Sequence, residues 1–204
     1  MRAPVEFALG ALPNAENLPL TNDEEREQIG ITYARDGQDA AIKLGHELVS
    51  GDTRDERVAA WHAFVDTHPD AHIYCARGGL RSRISQEWLA ADGVDVPRIE
   101  GGFKAVRKLC MDVLESAPKE KPLVVVGGRT GCAKTVLINE RTDTLDLEAL
   151  ANHRSSAFGA RETPQPTQIS FENSLATAYL RHDAGMLVLE DESCNMGRLI
   201  LPTI

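Results

Sequence analysis

The sequence predicts an α/β fold in two parts, and three stretches of its 204 residues carry that reading. In the first, Ala71-His72-Ile73-Tyr74 reads as a strand leading into Cys75-Ala76-Arg77-Gly78-Gly79-Leu80-Arg81-Ser82, a thiol, a glycine turn and a helix starting near Arg81. In the second, Val124-Val125-Val126 leads through Gly127-Gly128-Arg129-Thr130-Gly131-Cys132-Ala133-Lys134-Thr135 into Val136-Leu137-Ile138, again strand, glycine turn and helix. Between them Ser116 to Pro122 is polar, with two prolines and three charged residues, which is the composition of a linker. Strands alternating with helices on both sides of it give the α/β class. The expected division is a first domain over 1–117, a linker over 118–122 and a second domain over 123–204.

Met1 to Leu20 reads as loop and short extended pieces, punctuated by Pro4, Pro13 and Pro19. Thr21 to Gln28 starts a helix, and Asp39 to Val49 forms a second. Thr53 and Glu56 have the spacing of a capping box, and Val58, Trp61, Phe64 and Val65 follow at helical spacing. After the Cys75 turn, Ile84, Trp88 and Leu89 mark a helix. Val94 to Ile99 is extended, and Glu100-Gly101-Gly102 turns into a helix with Val106, Leu109, Val113 and Leu114 on one face. Leu123 to Val126 reads as a buried strand, and Met186 to Leu189 as another.

Composition narrows the function. Apolar residues make up 42%, enough for a core, and the net charge is −9, which argues against broad nucleic-acid binding while leaving room for a local basic site. No apolar run is long enough to span a membrane, and no signal peptide is visible. The four cysteines, Cys75, Cys110, Cys132 and Cys194, include no C-x-x-C pair, so neither zinc nor disulfide stapling is indicated. A reducing, cytoplasmic setting is expected, with no membrane partner.

A turn such as Gly78-Gly79 can aim backbone N–H groups inward as an anion nest, and the following helix start adds donors and partial positive charge. Arg77 and Arg81 add full charges, and Ser82 adds a hydroxyl. Alone, Cys75 could be a buried structural cysteine; in this setting it reads as a thiolate nucleophile beside an oxyanion cradle. Cys110 falls on an apolar helix face and reads as core. Cys132 reads as a small filler, and Cys194 has no assignment.

The second loop, Gly128-Arg129-Thr130-Gly131-Cys132-Ala133-Lys134-Thr135, matches the P-loop pattern with one departure, since Ala133 stands where the last glycine belongs. Its methyl could crowd a phosphate that the backbone must approach closely. Lys134 would meet terminal phosphates, and Thr135 would face a magnesium ion if one is bound. Glu190 and Asp191, with Glu192, resemble the acidic strand end that accompanies a P-loop. His153-Arg154 is open between a helix C-terminus and a phosphate or RNA contact, and Arg83 reads as a surface charge.

These residues resemble a known family. Gly10 to Pro19, Cys75 to Ser82 and Glu100-Gly101-Gly102-Phe103 resemble segments of rhodanese domains. A rhodanese-like domain followed by a P-loop NTPase-like parallel α/β domain is similar to tRNA 2-selenouridine synthase, the selenophosphate-dependent tRNA 2-thiouridine transferase. That pattern continues in Asp146-Leu147-Glu148, His153 to Gly159, Ser170 to Asn173 and Leu189 to Ser193. The resemblance implies a transferase that geranylates tRNA wobble 2-thiouridine with geranyl diphosphate. It then exchanges the geranylthio group for selenium from selenophosphate, supplied by a selenophosphate-producing enzyme. It implies that Cys75 serves the selenium step, with Arg77, Arg81 and the loop N–H groups on the phosphate portion, and that the P-loop holds a phosphate-bearing ligand. No covalently bound cofactor is expected. Relative to the family, the chain lacks an initial strand and a C-terminal region, so a fragment is expected. Two other readings stand beside this one: a cysteine-dependent phosphatase or sulfurtransferase using the Cys75-x5-Arg81 loop, and an inactive fragment.

Overall fold

The computed structural model describes residues 1–129, 132, 134–154, 159–191 and 194–202, without the side chains of Thr135 and Asn139. The chain folds as two compact units. The first comprises Met1–Leu9 and Ala15–Val106, the second Gly10–Asn14 and Arg107–Ile204.

Unit 1 is built from helices: α1 (Pro4–Ala8), α2 (Asp23–Asp36), α3 (Gln38–Leu48), α4 (Gly51–Thr67), α5 (Leu80–Ala91) and the first turns of α6 (Gly102–Glu120). Helix α2 starts where a capping box dictates, with Asn22 Oδ1 accepting from Glu25 N–H and Glu25 accepting from Asn22 N–H, both at 2.8 Å. The capping box expected at Thr53 and Glu56 is not formed. Helix α4 begins at Gly51 with Ser50 in the N-cap position, which puts Thr53 inside the first turn, past the place from which a side chain caps the free N–H groups. Trp61 is 2% exposed and donates from Nε1 to the Leu18 carbonyl at 3.2 Å. Around it Leu20, Val49, Val58, Ile73, Leu89 and Val96 form the core.

The strand expected over Ala71–Tyr74 shrinks to one parallel bridge, Ile73 to Arg98. Ile73 N–H donates to Pro97 O at 2.9 Å and Ile99 N–H to Ile73 O at 3.0 Å. Among the described residues, unit 1 has no longer strand.

Unit 2 carries a parallel sheet, β1 (Leu123–Val126) beside β2 (Leu187–Glu190), in a register from Leu123↔Leu187 to Val126↔Glu190. Thr144 bridges to Val188 in parallel on β2. With neighbours on both sides, β2 is buried throughout. Strand β1 is not the buried strand expected: Val124 is 44% and Val125 58% exposed, because among the described residues β1 pairs only with β2. Helix α7 (Lys134–Asn139) follows the glycine loop, α8 spans Leu147–Ala151 and α9 spans Gln168–Leu180. A short antiparallel pair, β3 (Asn195–Met196) and β4 (Leu199–Ile200), follows β2.

Phe171, Leu175 and Ala176 of α9 and Cys110, Val113, Leu114 and Ala117 of α6 are buried. Leu109, expected on that α6 face, is 55% exposed, because the buried stripe runs one position later, at i, i+3, i+4 and i+7 from Cys110. The 118–122 segment is not the expected linker throughout: 118–120 close α6, with Pro118 inside it. Pro118 forfeits one helical hydrogen bond, but it lies in the last turn. Gly10–Asn14 belongs to unit 2 because Ala11 is held from both sides, its N–H donating to Ser170 Oγ at 3.0 Å and its carbonyl accepting from Asn173 Nδ2 at 2.9 Å. Arg107 in turn bonds Asn173 Oδ1 at 3.0 Å and pairs with Glu172.

No described helix is long and apolar enough to cross a membrane.

Candidate functional site

The Cys75 turn is positioned by backbone packed on backbone. Gly78 has φ +65°, and a Cβ there would lie 2.6 Å from Gly101 N and 2.7 Å from Gly102 N. Gly102 has φ +57°, and a Cβ there would collide with Gly78 N and Cys75 O. Only glycine fits both places. The approach lets the first free N–H groups of α6 find carbonyls in the turn: Phe103 N–H donates to Cys75 O at 2.9 Å and Lys104 N–H to Ala76 O at 3.0 Å. Arg98 Nη1 donates to Gly78 O at 2.6 Å.

Within that turn Cys75 is 3% exposed. Burial pushes its thiol up, but donors outweigh burial and hold it below the ordinary thiol range. They are the Ser82 hydroxyl, 3.3 Å from Sγ, and the backbone N–H groups of Ser82, Arg77 and Gly79. Ser82 is fully buried, its Oγ also 3.2 Å from Gly79 O. The nest that the sequence suggested for an external anion is thus filled by the sulfur itself. A thiol acidified in this way reaches the reactive thiolate form at lower pH than a free one.

The two arginines differ. Arg77 is exposed, and among the described residues it forms no ion pair. Arg81, expected as a charge for a ligand, is engaged by Glu6: Nη1 to Oε2 at 2.6 Å and Nη2 to Oε1 at 3.1 Å. Glu6 also accepts from Arg26 at 3.0 Å and from Ala3 N–H at 3.1 Å. Burial raises the Glu6 pKa, but Arg81, Arg26 and Ala3 N–H bring it down to about 2. Sequence reasoning missed Glu6 and Arg98. Glu6 lies 75 residues from Arg81 with no spacing to link them, whereas the glycine pairs at 78–79 and 101–102 were visible as turns.

In unit 2 the parallel strands β1 and β2 end side by side, where α/β sheets bind ligands. Asp191 N–H donates to Val126 O at 3.0 Å, and a Cβ at Gly127 would lie 3.5 Å from Asp191 Oδ2. The acidic strand end and the start of the glycine loop therefore meet. Glu190 is buried at 8% exposure, while Arg129 is exposed. A Cβ at Gly128 would lie 2.6 Å from Cys132 Sγ, so a side chain there requires the exposed cysteine to turn aside. Lys134 Nζ donates to Gly128 O at 2.9 Å. Thr130, Gly131 and Ala133 lie outside the described residues, as do the Thr135 side chain and Glu192. Asp191 is the described carboxylate beside the loop, and no described group of three His, Cys, Asp or Glu side chains could hold a metal.

Of the other residues singled out, Cys110 is buried, and burial pushes its thiol up. Cys132 and Cys194 are exposed. Arg83 is exposed and lies 3.6 Å from Glu87. His153 is buried just after α8, its N–H donating to Glu148 O at 3.0 Å, and Arg154 N–H donates to Gly159 O at 2.8 Å. The His153 N–H thus closes the end of α8, while Arg154 N–H bonds the returning chain at Gly159.

Residues 121–204 match the family described as the tRNA 2-selenouridine synthase AAA domain. A tRNA 2-selenouridine synthase of Shewanella loihica is 51% identical over 99% of this chain and 55% of its own length. That of Marinobacter nauticus is 51% identical over 99% and 56%. That of a Sulfurovum species is 52% identical over 100% and 57%. The chain thus spans a little over half the length of these curated relatives. A solved N-terminal domain from Clostridium difficile 630 shares 33% identity over 53% of this chain and 83% of that one, at a TM-score of 0.49.

Proposed function

Because the chain is similar to tRNA 2-selenouridine synthases along 99% of its length, we propose that it serves the conversion of 2-thiouridine to 2-selenouridine in tRNA. The observation that carries the proposal is the Cys75 sulfur, buried, ringed by donors and acidified. Unit 1 acts as a rhodanese-like domain, with Cys75 the nucleophile of the selenium step and Arg77 the charge that meets the phosphate of selenophosphate. Unit 2 acts as a P-loop domain. Gly128, Lys134 and the loop between them hold the diphosphate of geranyl diphosphate, and stabilising that leaving group favours attack by the tRNA sulfur. Asp191 faces a magnesium ion if one accompanies the diphosphate. The exchange that follows is redox-neutral: with water, selenophosphate yields phosphate, and carbon 2 of the base trades its sulfur bond for one to selenium, releasing geranylthiol.

The phosphatase alternative needs Arg81 on the substrate phosphate. Both Arg81 Nη atoms lie on Glu6, which weighs against it.

The test compares Cys75→Ser, Cys110→Ser and Cys132→Ser, with selenophosphate and an S-geranylated 2-thiouridine RNA. Selenium incorporation read by mass spectrometry is expected to vanish only in Cys75→Ser. Incorporation that persists there overturns the assignment.

A further inference from the structure

Unit 1 bears a half-open cavity of about 1040 Å³, lined in part by Cys75, Arg77, Gly79 and Arg81 of the Cys75 turn. That is at the upper end of small-ligand sites. Its other walls are α2, α3 and α5, and Ile29, Ile42, Ile84 and Trp88 give them an apolar surface. Recognising selenophosphate needs N–H groups and a guanidinium, not apolar walls. Two glycines lie on this lining, Gly30 in α2 and Gly45 in α3. A glycine within a helix costs about 1 kcal/mol against alanine, and neither has the positive φ that would require one. A Cβ at Gly30 would meet nothing within 4 Å. Its missing side chain keeps volume open beside Ile29. Helix α2 itself has no buried residue, and Ile31 is 57% exposed. The α2 wall therefore stands off from the core that packs around Trp61. Charge is arranged to match: Glu6 engages Arg81 and Arg26, while Arg77, next to the nucleophile, keeps its charge for an anion.

We propose that this cavity seats a hydrocarbon chain carried by the substrate that reacts at Cys75, so that an S-alkylated base presents its reacting carbon to the sulfur while its chain lies among Ile29, Ile42 and Ile84. The proposal rests on the reading of Cys75 as the selenium-transfer centre. It puts the recognition of the alkyl group in unit 1, apart from the loop that holds the diphosphate.

The test titrates two nucleosides, S-geranyl-2-thiouridine and S-methyl-2-thiouridine, into the 204-residue protein, following binding by calorimetry. The geranyl nucleoside should bind at least tenfold more tightly, because only its chain removes apolar surface from water. Gly30→Phe fills the open volume and should bring the two affinities together. Ala34→Phe, at an exposed lining position of the same helix, should do the same and decides the matter if Gly30→Phe does not fold. Equal affinities in the unaltered protein overturn the proposal, as does a preference that survives the folded variants. In the first case the cavity belongs to an apolar segment of another protein or stays solvent-filled. Titration reads binding alone and the selenium assay reads transfer, so the cavity can fail while Cys75 stands, and the reverse.

Discussion

The two glycine turns share a pattern in sequence and differ in how the fold holds them. The Cys75 turn is locked: Gly78 and Gly102 meet backbone to backbone, and four donors converge on one buried sulfur. The Gly127-to-Lys134 loop leaves a strand whose Val124 and Val125 are exposed, and its described glycines are exposed too. The first turn uses its N–H groups to shape a reactive atom of its own. The second keeps its described surface open to a ligand. One should therefore be sensitive to any change of shape, and the other only to changes in ligand chemistry.

The largest expected effect comes from breaking the lock. Gly102→Ala places a methyl against Gly78 N and Cys75 O at a positive φ. Strain of that kind costs about 1–3 kcal/mol, with a steric term added. Urea denaturation should show a loss of roughly 3 kcal/mol, and iodoacetamide labelling of Cys75 at neutral pH should slow. A variant with unchanged stability and labelling would show that the two turns are not mutually dependent.

Next comes the acid limb of stability. The folded pKa of Glu6 is about 2, against an ordinary value of 4.5. The unfolded chain thus binds the proton first, and the stabilisation from Glu6 is complete above about pH 4.5 and lost as pH falls toward 2. Glu6→Gln should flatten the stability profile between those values. It also releases Arg81, so phosphate should protect Cys75 from alkylation at lower concentration than in the parent. A profile identical to the parent's would remove Glu6 from the account of this turn.

A smaller effect tests the donors. Ser82→Ala removes a hydrogen bond to the sulfur worth about 1 kcal/mol, so alkylation of Cys75 near neutral pH should slow roughly fivefold, with the pH–rate profile moving to higher pH. If the profile stays in place, the backbone N–H groups alone acidify the thiol.

Both turns were legible in the sequence because glycine pairs beside a strand-like run are local signals. The starts of α2, α3 and α5 were legible for the same reason: caps and apolar spacing act within a few residues. What the sequence hid was long-range. Glu6 reaches Arg81 across 75 residues, and Gly10–Asn14 joins unit 2 through Asn173. A run of valines such as Leu123–Val126 reads as buried, yet burial depends on neighbours beside the strand, and β1 pairs only with β2 among the described residues. The apolar cavity escaped notice because its walls come from three helices, and Gly30 gave no turn signal inside a helical pattern.

The smallest expected change in stability bears most directly on the second loop. Lys134 reaches the Gly128 carbonyl at 2.9 Å, a bond at a solvent-exposed loop that water replaces at little cost. Lys134→Ala should therefore shift unfolding by no more than about 0.5 kcal/mol. If the loop holds a diphosphate, the same substitution should weaken geranyl diphosphate at least tenfold by titration calorimetry, because it removes a full positive charge from beside the phosphates. A large loss of stability with unchanged binding would reverse the comparison, making the lysine a structural tether of its loop and leaving diphosphate recognition to other groups. Unchanged stability with unchanged binding would withdraw the diphosphate from this loop while leaving the Cys75 turn untouched.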